Sequence, residues 1–240
     1  MTTEFEDQDL RGAVFWGVDL RDAMFRDVDF GGTRSQHVFL HDVELDGFVD
    51  RLVVNGVDVT DHVNANDPWQ PLRGMLRPTD AASVQATWDE VERVWADTID
   101  LVWAQPDDVR RARVEGEWSF VETLRHLVFA VDKWFTLPLA GGSFAPIGMP
   151  NSGSVDFPWP GLDPAADPSD DDVRVAREGQ ADAIRRVLAD LTDGELARRV
   201  EVLENGTVTV LDCWHTVFEE HFEHRRYALR DLARLGVPVD

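Results

Sequence analysis

Over the first fifty residues the apolar side chains keep a period that belongs to neither a helix nor a strand. Phe5, Leu10, Phe15, Leu20, Phe25 and Phe30 fall every five residues, and the series resumes at Leu40 and Leu45. Two places before these positions lie small or β-branched residues: Ala13, Val18, Ala23, Val28, Thr33, Val38 and Val43. A fixed short repeat that offers one buried side chain per unit signals stacked solenoid coils. The stretch lapses at Ser35 and suffices for only about two to three coils, too few to bury much surface alone. A cap or docking module is the expected role.

After it the pattern changes twice. LVVNGVDV, residues 52–59, places Val-rich arms around Asn55 and Gly56, which suit the positive φ angles of a tight turn, and predicts a β-hairpin. The polar, Pro-containing stretch NANDPWQPLRGMLRPTD then closes the first region, with a boundary near residues 65–78. A first module of residues 1–65 and a second of residues 79–240 are expected.

The second module reads as helical. Val84, Trp88, Val91, Trp95, Ile99 and Val102 recur at spacings of three and four, with Asp80 as cap. Ser119 and Glu122 form a capping-box signature ahead of Phe120, Leu124, Leu127, Val131 and Trp134, and this helix must stop before Pro138. A third helix opens near Ser169, where Asp170, Asp171 and Asp172 favour the positive end of the helix dipole, and carries Ile184, Val187, Leu188 and Leu191. VEVLENGTVTV predicts a second hairpin turning at Asn205, and a last helix runs from about Leu211 to Leu235. Between the second and third helices lies a long aperiodic stretch, residues 137–168, whose Phe157, Trp159 and prolines predict a packed crossover. Four amphipathic helices with one long connection predict a four-helix bundle, so the fold class is mainly α.

Charge narrows the partners. With 46 acidic against 23 basic residues the formal net charge is −23, which repels nucleic-acid phosphates and anionic membranes. Neither nucleic acid nor membrane is an expected partner. Cys213 is the single cysteine, so no internal disulfide can form and a reducing compartment fits. The start, MTTEFEDQDL, lacks the apolar core of a signal peptide, and no run approaches transmembrane length, so a cytoplasmic location is expected. Lys133 is the only lysine, and the abundance of Ala, Val, Asp and Arg points to a GC-rich genome. The glycine pairs Gly31–Gly32 and Gly141–Gly142 and the Ser-Gly run around Gly153 lack the strand-to-helix context of a phosphate loop. Cys213, with no clear His or Asp partner in sequence, reads as a buried structural thiol.

The residues that could carry chemistry lie on the second and fourth helices. At about 100° per residue the fourth helix gathers Trp214, Val217, Phe218, Phe222, Ala228, Leu229, Leu232 and Leu235 into one arc, with His221 and Arg225 in its middle. Buried polar groups need partners, so this pair marks either a specific polar site or a satisfied core histidine beside a structural ion pair. His224 lies at the edge of the arc, near enough to reach inward, and His215 at the opposite edge reads as exposed. On the second helix His126 falls outside the strongest apolar arc, grouped with Glu122, Phe129, Ala130 and Lys133, which periodicity alone places at the surface or edge.

Two stretches add a resemblance. EWSFVETLRHLVFA, residues 117–130, and HFEHRRYALRDL, residues 221–232, are similar to the DinB/YfiT-like superfamily, four-helix bundles in which three histidines hold a divalent metal. The resemblance implies His126 as the ligand from the second helix. The other two come as His-x-x-x-His, commonly with Arg next; by position these fall on His221 and Arg225, with Arg226 as the following arginine. Arginine keeps its proton at accessible pH and cannot ligate a cation. Two outcomes follow: His224 turns in, giving a zinc or nickel set of His126, His221 and His224, or Arg225 replaces the metal's charge and closes the site. Glu122, Trp118 and Phe218 are expected to line the pocket, within an aromatic set that includes Trp88, Trp95 and Trp214. The five-residue repeat resembles the pentapeptide-repeat family, whose coils form a four-sided right-handed β-helix and whose members include DNA-mimicking inhibitors of topoisomerases.

What the resemblance implies is a DinB-like four-helix bundle preceded by a short pentapeptide-repeat β-solenoid and a β-hairpin. Related members are thiol-dependent S-transferases, using mycothiol in actinobacteria and bacillithiol in firmicutes, and the composition here points toward mycothiol. The expected function is therefore a divalent-metal-dependent transferase, with a small-molecule thiol and an electrophile as partners and a homodimer as a further expectation. The competing reading is a non-catalytic binding or regulatory protein with a degenerate metal site.

Overall fold

A computed structural model of the chain describes residues 3–6, 8–26, 28–151, 159–163 and 165–239. Phe157 and Gly153, singled out in the sequence, lie outside the described residues. The chain separates into two compact units, Met1–Asp46 and Gly47–Asp240. The Asn55-Gly56 hairpin and the Pro-containing stretch therefore belong with the helices, so the division falls earlier than the expected boundary near residues 65–78.

In the first unit the five-residue repeat is written in the backbone. Left-handed φ angles recur at Gly12, Gly17, Asp22, Gly32, His37 and Asp42. The residues there are glycine, aspartate and histidine, types that tolerate this region better than most. Turns close every ten residues, where Ala13, Ala23 and Thr33 donate their N–H groups to the carbonyls of Leu10, Leu20 and Phe30. The two repeat rows face a less exposed side than the residues between them: Leu10 is 43% exposed and Phe30 47%, against 90% for Trp16 and 88% for Phe39. Full burial of one side chain per unit, expected from the pattern, is not reached. A run this short has few neighbouring coils to stack upon.

The second unit opens with β1 (Val53–Val54) and β2 (Val57–Asp58), antiparallel across Asn55 and Gly56, which both take positive φ as the tight turn requires. Two short helices follow, α1 (Thr60–Asn66) and α2 (Leu72–Met75). Then come α3 (Ala81–Trp103), the single turn α4 (Asp107–Arg110), and α5 (Phe120–Val131), which continues through a wider π turn at Asp132–Thr136. After the long crossover come α6 (Asp170–Ala189) and the turn α7 (Asp193–Leu196). Strands β3 (Arg199–Glu201) and β4 (Thr207–Thr209) pair antiparallel, and α8 (Val210–Arg234) closes the unit. The turn between β3 and β4 is longer than a two-residue Asn-Gly turn: Leu203 and Gly206 carry the positive φ, not Asn205.

The four long helices α3, α5, α6 and α8 form the bundle, and each begins where its sequence marks a cap. Asp80, Ser119, Ser169 and Thr209 each accept from the backbone N–H three residues on, and the backbone N–H of each donates back to that residue's side chain. One face of α3 buries Val84, Trp88, Val91, Trp95 and Val102, and α8 meets it with Trp214, Val217, Phe218, Phe222 and Leu232. In α5 ten of twelve residues are buried. A helix apolar on most sides is covered on most sides; here the described part of the crossover lies over the flank away from the bundle, stacking Phe144 on Phe129 with Trp159 edge-on to both. Among the described residues no helix is long and apolar enough to cross a membrane.

Candidate metal centre

The crossover fixes the first functional side chain. Arg125 Nε donates to the Ile147 carbonyl at 2.9 Å, the Met149 N–H donates to the Arg125 carbonyl, and the Ala145 N–H donates to the Asp132 carboxylate at 2.7 Å. These bonds hold residues 145–149 along α5. Gly148 has to be small there, because a Cβ would come within 3.3 Å of Phe129 Cβ and 3.1 Å of Leu162. His126 is thereby roofed and only 3% exposed. This corrects the surface or edge position that periodicity alone gave it, since the crossover supplies the cover that helical spacing cannot report.

Across from His126, α8 presents Glu220 and His224 one turn apart on the same face. Glu220 Oε2 lies 3.2 Å from His126 Nε2 and 3.2 Å from His224 Nε2. One ligand atom from each of the three residues lies within 4.8 Å of the others. The imidazoles of His126 and His224 stand 4.6 Å apart by ring centre, and the Trp118 indole lies over both, at 4.7 Å and 6.0 Å. Glu220 and His224 keep 29% and 16% of their side chains exposed, so one side of the cluster is open to solute.

The contact between His126 and Glu220 needs a shared proton or a shared cation. His126 Nδ1 lies 2.9 Å from the Met149 carbonyl, which can only accept, so Nδ1 carries the hydrogen. In the neutral ring Nε2 is then a lone pair, and it faces a carboxylate oxygen that also only accepts. Either the ring takes a second proton or a cation sits between them. Burial would raise the Glu220 pKa, but hydrogen bonds and charge from His126 and His224 outweigh it and hold the carboxyl far below the usual range. The carboxylate is an anionic donor beside two imidazoles, the donor types of catalytic zinc sites with three protein ligands.

The placement differs from the sequence reading at one ligand. His126 and His224 are brought together, while His221 is not with them and Glu220, absent from the sequence-derived set, takes the third place. His221 is one residue, about 100°, farther round the helix and points into the bundle core. It is 1% exposed, its Nδ1–H donates to the Val217 carbonyl at 2.7 Å, and it packs edge-on to Trp88 and Trp95. Burial and then the nearby Arg177 guanidinium push its pKa down to about 3, so it is a neutral core histidine. Arg225 likewise faces α3: its Nε donates to Thr98 Oγ1 at 2.9 Å and to the Val94 carbonyl at 3.2 Å. It does not stand in the cluster, and so does not substitute for a metal's charge there.

Of the three residues expected to line the pocket, Trp118 packs against His126 and His224. Glu122 instead closes the cap of α5 and pairs with Arg113, and Phe218 is fully buried against Trp214. His215, expected to be exposed, is half-buried and bonded to the Pro78 carbonyl. Glu220 could have been found from the arginine that follows the second ligand: taking Arg225 as that arginine makes His224 the ligand, and four residues earlier lies Glu220.

Comparison with known families agrees with this division of the chain. The sequence model described as the DinB superfamily matches residues 52–228, and the model for pentapeptide repeats matches in eight copies over residues 3–34. The chain matches no curated protein and no solved structure.

Proposed function

The chain belongs to the DinB superfamily, whose fold includes metal-binding enzymes, and on that premise we propose that it is a divalent-metal-dependent transferase using a low-molecular-weight thiol. His126, Glu220 and His224 would hold the metal. The observation that carries this reading is the 3.2 Å contact between His126 Nε2 and the Glu220 carboxylate, which a shared cation would satisfy. Two imidazoles and one carboxylate suit zinc. A divalent cation bound there supplies a Lewis acid that favours thiolate over thiol at neutral pH.

The chain's own groups do the rest. The Met149 carbonyl fixes the His126 tautomer with Nε2 aimed at the cluster, and the Trp118 ring limits how the two imidazoles can turn. The open side at Glu220 and His224 admits the co-substrates. Cys213 is no source of the thiolate, because it is wholly buried and burial pushes its pKa up to about 12. The thiol therefore comes from solution, and mycothiol is the favoured identity from the chain's composition. A lone, unpaired cysteine fits a reducing, cytoplasmic setting.

The test is consumption of a small electrophile such as chlorodinitrobenzene by zinc-loaded protein with mycothiol, bacillithiol, cysteine or no thiol. Turnover is expected with mycothiol and is expected to vanish in Glu220→Gln. Absence of turnover with every thiol, in protein shown to carry metal, removes the transferase reading.

A further inference from the structure

A chain with twice as many acidic as basic residues has carboxylates to spare, and its half-buried arginines use them or a carbonyl or hydroxyl. Arg110 pairs with Asp170, Arg226 with Glu223 and Arg230 with Asp231, while Arg125 and Arg225 bond to main-chain carbonyls. Arg177 on α6 is different. Its Nε is sealed from solvent with no hydrogen-bond partner, and among the described residues no ion pair involves its guanidinium. The guanidinium carbon stands 5.1 Å from the Trp95 ring centre; burial pulls its pKa down, to about 10, so it stays charged at neutral pH.

An unpaired charge at this depth is costly unless an anion completes it. Yet the side chain is not closed off. Arg177 is half-buried, and only its Nε is sealed, so the accessible surface lies on the rest of the residue. Its surroundings are aromatic and fixed: the Trp95 Nε1–H donates to the His221 carbonyl at 3.1 Å, and Phe120 packs on the Trp95 ring.

We propose that Arg177, stacked on the buried Trp95 ring, is a binding site for the carboxylate of a small organic acid. The planar guanidinium offers paired N–H donors that match a carboxylate's two oxygens. One cation balances one negative charge, which favours a monoanionic carboxylate over a phosphate dianion. The site does not depend on the cluster of His126, Glu220 and His224, and it can be examined in metal-free protein.

The experiment titrates full-length protein with benzoate, its neutral isostere benzamide, and inorganic phosphate, following Trp fluorescence and the melting temperature. Benzoate is expected to raise the melting temperature and to bind at least about tenfold more tightly than benzamide or phosphate. Arg177→Met is expected to lose that preference, and to melt no lower than wild type without ligand, because it removes an uncompensated charge. Arg177→Lys, which keeps the charge but not the paired geometry, is expected to bind benzoate with intermediate strength. No benzoate binding at tens of millimolar, equal binding of benzoate and benzamide, tighter binding of phosphate, or unchanged benzoate affinity in Arg177→Met each overturns the proposal. A lower melting temperature for Arg177→Met, or its failure to fold, would make Arg177 a structural brace on Trp95 and overturn it also.

Discussion

If the reacting thiolate comes from a dissolved thiol, the chain's own cysteine must be inert in the folded state. Cys213 is wholly buried near the start of α8, and burial, with a smaller contribution from Asp212, pushes its pKa up to about 12. At pH 8 a thiol of that pKa is thiolate in a fraction of about 10⁻⁴, whereas a free cysteine of pKa about 8.5 is about one-quarter thiolate. Since only the thiolate attacks, the native protein should react with Ellman's reagent about two thousandfold more slowly than the unfolded chain. Lack of access lowers the native rate further. The assay follows release of the coloured thiolate in buffer and in concentrated urea, where one equivalent should appear promptly. A native rate within about tenfold of the denatured rate would refute both the burial of Cys213 and the assignment of thiol chemistry to a soluble co-substrate.

Other expectations follow from single contacts. Ser119→Ala removes the cap of α5 and should cost about 1 kcal/mol, lowering the melting temperature by about 2–4 °C; the Glu122 N–H loses its hydroxyl acceptor, while the backbone N–H at position 119 can still donate to the Glu122 carboxylate. Asp132 accepts from the Ala145 N–H and from Gln180, but burial outweighs these bonds and raises its pKa. A raised carboxyl pKa means that the folded state binds the proton more tightly than the unfolded chain. Its contribution is therefore most favourable below about pH 4 and falls as pH climbs through the folded value. Chemical denaturation of wild type and Asp132→Asn across pH 4–7 should show the wild type losing ground to the variant as pH rises; parallel curves would contradict the burial of that charge.

The fold was legible where one helix face repeats. The apolar spacing from Val84 to Val102, the Ser119-Glu122 box and the acidic start of α6 each specify local structure without help from the rest of the chain. The short helices α1, α2, α4 and α7 were not, because four to seven residues carry too little periodicity and are set by contacts from elsewhere. α2, for instance, holds Arg73 paired with Asp67, and its Met75 carbonyl accepts from Thr87 on α3. At the candidate site the histidine from α5 was identified through resemblance, since helical periodicity cannot see the crossover that buries it. On α8 one candidate ligand, His221, lies one residue away from the Glu220 that the cluster contains, while His224 is in it. His221 lies in the apolar arc and so attracts a ligand assignment, while Glu220, next to it, reads as a solvated acid until His126 is brought opposite. Spacing fixes which residues share a face, but only the packing partner decides which face is the site.

The most direct test is zinc binding measured by equilibrium dialysis and elemental analysis on wild type, Glu220→Gln, His224→Ala and His221→Leu. Wild type should bind one equivalent. Glu220→Gln and His224→Ala should lose at least about a hundredfold in affinity, since each removes a donor atom. His221→Leu should keep wild-type stoichiometry and affinity, because that ring bonds within its own helix and faces the core. Loss of zinc in His221→Leu with retention in Glu220→Gln would contradict the centre described here and restore the three-histidine set.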